Sequence, residues 1–191
     1  MAALLCVIAG CNAQKKQQEN MNDKKMLVVY FSHTGENYSV GNIKVGNTKI
    51  VADYISELTG ADQFEVVTHK YDGMSYKAVC DMAQDEQAAD MRPEFEGKID
   101  DISQYDVIFI GTPIWWGTYP QVMFTFFDTY DLNGKKLIPF ATHEGSGLGN
   151  TVSDLRKAYP KATVTGSFSI YGHDVRDGKS KVQKWIDGLN L

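Results

Sequence analysis

The sequence predicts an α/β protein, with one five-stranded parallel sheet and helices on both faces. Three observations carry this. Apolar runs recur that are continuous rather than alternating, as strands buried on both faces require. Segments of helical period lie between them, so each strand reaches its neighbour through a helical crossover. The chain has 191 residues, the size of one domain of this class.

The first strand spans 26–32 (MLVVYFS), apolar until its last residue. Ile50, Val51, Tyr54, Ile55 and Leu58 then share one helical face, and Gly60 stops that helix. Residues 64–67 form the second strand, and a weaker helix covers 75–90. The third strand, 106–111, precedes a helix that follows Pro120, a residue suited to a first helical turn. The fourth strand is 136–142, although Pro139 does not suit a central strand. A helix over 150–158 and a fifth strand over 163–170 follow. Val182, Trp185, Ile186 and Leu189 mark the last helix by their i, i+3, i+4, i+7 spacing.

Hydrophobic residues make up 43% and charged residues 23%, values of a globular chain. Lys and Arg number 19 against 24 Asp and Glu, for a net charge of −5. That balance argues against a nucleic-acid partner. The N-terminus stands apart. Residues 1–11 read as a signal segment, apolar and ending in Ile8-Ala9-Gly10-Cys11, which is similar to a bacterial lipobox. Residues 12–25 are a polar tether with a reach of about 20 Å, and 26–191 are the folded domain. The expectation is an exported chain carrying a lipid anchor at Cys11. A mere apolar overhang would leave the chain cytoplasmic. Of three cysteines, only Cys80 lies in the folded part, so no disulfide forms within it.

Ligands of open parallel sheets bind beyond the carboxyl ends of the strands, and three such loops are unusual. The first holds Ser32, His33, Thr34 and Gly35, and a helix begins near Asn47 and Thr48. Hydroxyls beside a helix N-terminus suit a phosphate; the same residues also serve as ordinary turn and cap chemistry. The second loop is Pro113-Ile114-Trp115-Trp116-Gly117. Two adjacent tryptophans suit a planar heteroaromatic ligand; the alternative puts one in the core and one over a helix. The third holds His143, Glu144, Gly145, Ser146 and Gly147. Its glycines allow backbone N–H groups to approach a ligand edge, as any surface loop would also allow.

Several familiar patterns are near misses. Residues 41–48 almost spell a phosphate-binding GxxxxGK[ST] loop, but Asn47 replaces the lysine and no strand ends there. GxGxxG does not follow the first strand, Gly145-Ser146-Gly147 is not a nucleophile elbow, and His143-Glu144 has no second zinc-spaced histidine. Neither a metal site nor a catalytic acid or base is indicated.

Together the three loops resemble the flavodoxin family, through Tyr30-Phe31-Ser32-His33-Thr34-Gly35, Gly46-Asn47-Thr48, the 105–117 segment and His143-Glu144-Gly145-Ser146-Gly147. The resemblance spans about 26–189. It implies a flavodoxin-like three-layer sandwich of strand order 2-1-3-4-5 that binds FMN non-covalently. By the same resemblance Ser32, Thr34, Asn47 and Thr48 meet the phosphate, with His33 and Gly35 in the same loop. Pro113 to Gly117 and Glu144 to Gly147 flank the ring, with His143 beside it. Residues 36–46 are inserted relative to the usual pattern, and Asn37 or Tyr38 is expected to touch FMN as well. The implied function is electron transfer with a redox partner protein or a small-molecule donor or acceptor. The alternatives are an NAD(P)H-dependent quinone or flavin reductase on the same fold, and an interaction domain that has lost its cofactor.

Overall fold

The computed structural model describes residues 24–189 and 191. The expected signal segment, most of the tether and Cys11 lie outside these described residues. The Lys25 carbonyl accepts the Asp106 N–H at 2.9 Å, just ahead of the first strand.

The sheet is built from β1 (Met26–Tyr30), β4 (Asp62–Glu65), β5 (Val107–Pro113), β6 (Lys136–His143), β7 (Thr163–Val164) and β8 (Phe168–Tyr171). All pairings are parallel, in the order β4-β1-β5-β6-β7, with β8 also on β6. The order expected from the resemblance is therefore present. The second strand pairs two residues earlier than expected, although Val66 N–H still donates to the Tyr30 carbonyl at 2.8 Å. The expected fifth strand is broken into β7 and β8. Between the pairs Leu137–Val164 and Phe140–Phe168 the edge carries one more residue than β6, a bulge centred near Gly166 at φ 65°.

That bulge explains how Pro139 sits inside β6. Thr163 and Thr165 donate to the carbonyls of Lys135 and Leu137, so odd-numbered residues of β6 face the edge strand. Pro139 has the same parity and falls opposite the break, where a ladder N–H is not required.

Five helices cover the sheet: α1 (Asn47–Thr59), α2 (Tyr76–Ala88), α3 (Gln121–Thr129), α4 (Thr151–Ala158) and α5 (Lys179–Asp187). Alternate residues of each central strand meet opposite layers. Val28, Tyr30, Phe109, Ile138 and Phe140 pack with α1 and α5, while Leu27, Val29, Ile108, Ile110 and Leu137 pack with α2, α3 and α4. Gly60 ends α1 at φ 74° and its N–H returns to the Ser56 carbonyl. Leu189 falls just beyond α5. Two elements were not foreseen. Part of the 36–46 insertion folds as an antiparallel hairpin, β2 (Gly35–Asn37) and β3 (Gly41–Ile43), and a 3-10 helix follows β8 over Gly172–Asp177.

At the top of the α2–α4 layer, Trp115 sits in a box of rings. Its centroid lies 4.9 Å from Tyr71, 5.4 Å from Phe31 and 5.6 Å from His33, all edge-on. The Nε2 of His33 is buried there without a hydrogen-bond partner. Below the box, the Tyr71 hydroxyl donates to the buried Glu86 carboxylate at 2.8 Å, and Lys70 pairs with the same carboxylate.

Two outcomes follow from this core. Gly111 lies against Phe140 so closely that a Cβ would overlap the ring. Gly111→Ala should cost about 1–3 kcal/mol by overpacking; urea unfolding measures it, and a wild-type midpoint would mean that the ring can yield. Burial holds the His33 imidazole below its ordinary pKa of 6.5, with Asp72 opposing the shift. The unfolded chain therefore takes up this proton first as pH falls, so the His33 contribution is intact above pH 6.5 and lost below it. His33→Phe should lose less stability than wild type between about pH 7.5 and pH 5.5. Equal losses in the two proteins would rule out His33 as the source.

Candidate functional site

The carboxyl ends of β1, β5 and β6 open into a cavity of about 650 Å³, a size that suits a small-molecule ligand. It lies at the point where the chain turns from β1 to β4 on one side and to β5 on the other, the switch point of this topology.

One end of the cavity is polar, and α1 makes it so. Gly46 precedes α1 and offers no side-chain cap. The hydroxyl of Ser32 takes that part, accepting the Lys49 N–H at 3.0 Å. The approach needs glycine, since a Cβ on Gly46 would overlap Ser32 Oγ and lie 2.7 Å from the His33 carbonyl. Thr48 is buried, and its hydroxyl shares a 2.8 Å hydrogen bond with that of Thr142 at the end of β6. Asn47 and Glu144 crowd over Gly172, where a Cβ would stand 2.5 Å from the Asn47 amide nitrogen and 2.9 Å from Glu144 Oε1. Glu144 is itself fixed, accepting from the backbone N–H and Nδ1 of His173 at 2.9 and 2.7 Å.

The second loop makes a tight turn. Trp115 and Thr118 exchange backbone hydrogen bonds, with Trp116 at φ 48° and Gly117 at φ 84° between them. Two left-handed residues in succession are the signature of a primed turn. A tryptophan in that conformation is uncommon. The turn sends the two indoles in opposite directions. Trp115 points into the ring box, while Trp116 stays 51% exposed and donates from Nε1 to the Cys80 carbonyl at 2.9 Å. Its own carbonyl accepts from Gln87 of α2.

The sequence-predicted residues therefore divide. His33, Asn37, Asn47 and Thr48 line the cavity, as do Pro113, Ile114, Trp115 and Trp116 from the second loop and His143, Glu144 and Ser146 from the third. Ser32 and Thr34 are not in its lining: the Ser32 hydroxyl accepts the Lys49 N–H, which leaves its own O–H to donate, and Thr34 is exposed beside the hairpin. The glycines also stand off the wall. Gly35 opens the hairpin, the Gly117 carbonyl accepts the Asn150 N–H, and Gly145 donates to His143 Nδ1 at 2.9 Å. That last bond leaves the ring proton of neutral His143 on Nε2, and burial lowers its pKa. Gly147 belongs to the loop at φ 59° and makes no wall contact.

The opposite wall comes from elements that the strand-end argument did not reach. Tyr76, Cys80 and Gln84 share one face of α2 at i, i+4, i+8, and Tyr38 and Val40 come from the hairpin. Tyr38 and Tyr76 lie 5.9 Å apart, and Glu36 accepts the Tyr76 N–H at 2.9 Å, which docks the hairpin on α2. A bond to Cys80, followed by burial, pushes the Tyr76 hydroxyl up to about 12. The α2 stripe was the available signal in the sequence. The whole suits an elongated ligand with an anionic end at α1 and a flat end between aromatic and apolar walls.

Comparison with known proteins agrees with this geometry. The family model described as Flavodoxin matches residues 25–189. No curated protein sequence matches the chain. Among solved structures, a protein of Bacteroides uniformis ATCC 8492, inferred to be a flavoprotein, is 28% identical over 86% of this chain and 98% of its own, with a TM-score of 0.68. One of Bacteroides eggerthii DSM 20697, inferred likewise, is 28% identical over 88% and 99%, with a TM-score of 0.64. A flavoprotein of Lactobacillus acidophilus NCFM, solved in complex with FMN, shares the fold at 24% identity over 85% and 99%, with a TM-score of 0.62. With a parallel sheet of order β4-β1-β5-β6-β7, a cavity at its switch point and a family match over nearly all the described residues, this chain belongs to the flavodoxin family.

Proposed function

We propose that the chain binds FMN non-covalently and serves as an electron-transfer protein. The observation that carries this is the polarity of the cavity, with a helix N-terminus and fixed polar groups at one end and aromatic walls at the other. FMN supplies one- and two-electron redox chemistry wherever it is bound. In this chain the free N–H groups of the first turn of α1 and the Asn47 amide receive the phosphate, with the shared Thr48 and Thr142 hydroxyls behind them. Gly172 supports the fit, because any side chain there would fill the space between Asn47 and Glu144. Pro113, Ile114 and Trp116 offer flat and apolar faces to the ring. Glu36, Asp81 and Glu144 surround the site with negative charge and oppose further negative charge within it. That electrostatic setting favours a low-potential carrier. Its partner is a redox protein or a small-molecule donor or acceptor.

The N-terminal sequence supports export and a lipid anchor at Cys11, following Ile8-Ala9-Gly10. Intact-mass measurement of natively expressed protein should show loss of 1–10 and a lipid-sized increase on Cys11. An unprocessed mass would overturn the anchor.

The flavin reading has a direct test. After incubation with FMN and desalting, the protein should keep flavin absorption bands with quenched fluorescence. Trp116→Ala should weaken FMN binding about tenfold. Trp115→Ala, which empties the ring box, should cost about 3 kcal/mol of stability as well. Flavin lost on desalting from the wild type would overturn the reading.

A further inference from the structure

We infer that the hairpin of β2 and β3 is a latch that closes the cavity against α2 and sets the rates of FMN binding and release. This rests on the FMN reading above and concerns how the cofactor is exchanged. The first observation is topological. Among the described residues, β2 and β3 form a sheet of their own and share no ladder with the main sheet. A two-stranded hairpin has little stability by itself in water. Its position is therefore set by the surface on which it rests.

The second observation is the contrast between its two ends. At the base, Ile43 is buried and pairs with Gly35, and Gly46 is seated against Ser32. Nearer the tip the contacts lie at the surface. Tyr38 is 62% exposed and meets the ring of Tyr76, itself 41% exposed, at 5.9 Å. The Glu36 carboxylate accepts the Tyr76 N–H at 2.9 Å. Both contacts fall on the first residue of α2, where water competes for them and local opening is cheap. α2 does not depend on them, because Ser75 caps it by accepting the Ala78 N–H. Release of the hairpin therefore leaves the helix in place, together with the Trp116 indole bonded to its Cys80 carbonyl.

The third observation is what the hairpin covers. Glu36, Asn37, Tyr38 and Val40 line the cavity, so the hairpin is one of its walls. The polar end is built differently, with Thr48 buried and bonded to Thr142. One wall thus rests on surface contacts while the other is packed into the fold. Gly35 supplies the hinge. It stands at φ 84°, and a Cβ there would meet nothing within 4 Å, so the chain can turn at this residue without displacing a neighbour. A latch that holds equally with and without FMN has a kinetic signature. Loosening it speeds binding and release together, whereas losing a plain ligand contact changes release alone.

Two measurements on the full chain test the latch. The Tyr76 N–H opens α2 and has no partner within the helix, so its hydrogen exchange reports release of Glu36 directly. By NMR of the flavin-free chain, this amide should exchange several-fold faster in Tyr38→Ala than in the wild type. The remaining amide spectrum shows that the variant has folded. Stopped-flow quenching of flavin fluorescence then gives the rate constants for FMN. Tyr38→Ala and Glu36→Ala should each raise association and dissociation together, about fivefold to tenfold, so that Kd moves less than either. Faster dissociation with association at the wild-type rate would make the hairpin a plain contact wall and overturn the latch. So would a rise in Glu36→Ala alone, since Tyr38→Ala changes no charge, and so would an unchanged Tyr76 exchange rate. Failure of the wild type to bind FMN overturns the cofactor reading instead. The Tyr76 exchange rates in the flavin-free chain then still decide whether the hairpin opens.

Discussion

The cavity depends on a contact that only glycine permits. Gly46 brings the start of α1 against Ser32 and the His33 carbonyl, so the helix begins directly over the loop that leaves β1. With that point fixed, Thr48 reaches Thr142 and ties the helix to the end of β6. Asn47 then faces Gly172 and Glu144 on the far side. The residues between Gly35 and Gly46 are pinned at both ends, and this is what lets them leave the sheet as a hairpin and come to rest on α2. The polar end, the loop excursion and the opposite wall thus share one anchor.

The second loop shows how local geometry divides adjacent side chains between stability and surface. A turn with two left-handed residues reverses the chain within four positions, so neighbouring indoles cannot share an environment. Trp115 completes a box with Phe31, Tyr71 and His33, while Trp116 leans on the backbone of α2. Holding a bulky residue at positive φ costs energy, and such costs gather at functional positions. Here two hydrogen bonds to α2 hold it in place.

The sheet was legible in the sequence because its strands are buried on both faces and read as unbroken apolar runs, as in 26–31 and 107–110. The strand-end loops were legible because ligand sites of this topology have a fixed address. What escaped had physical reasons. The hairpin is short, and its turn depends on Ser39 at φ 64° and Gly41 at φ 74°, with no strong hydrophobic pattern around them. The face of α2 at the cavity mixes Tyr76, Cys80 and Gln84, so periodicity alone does not mark it as a wall. Ser32 has the side chain of a phosphate ligand, yet its oxygen is the acceptor that Gly46 does not supply. A hydroxyl accepts at a helix N-terminus and donates to an anion, and the residue type alone does not say which of the two roles it takes.

The bulge that accommodates Pro139 also alters the border of the sheet. An uninterrupted outer strand presents a row of free amides and carbonyls on which another chain can build. Here that border is cut into pieces of two and four residues, set one position out of step. At the opposite border β4 is only four residues long and carries acidic groups at both ends, Asp62 and Glu65. Neither margin offers a long, flat template. Molecules held side by side at high local density can therefore sit close together without their sheets fusing into a polymer.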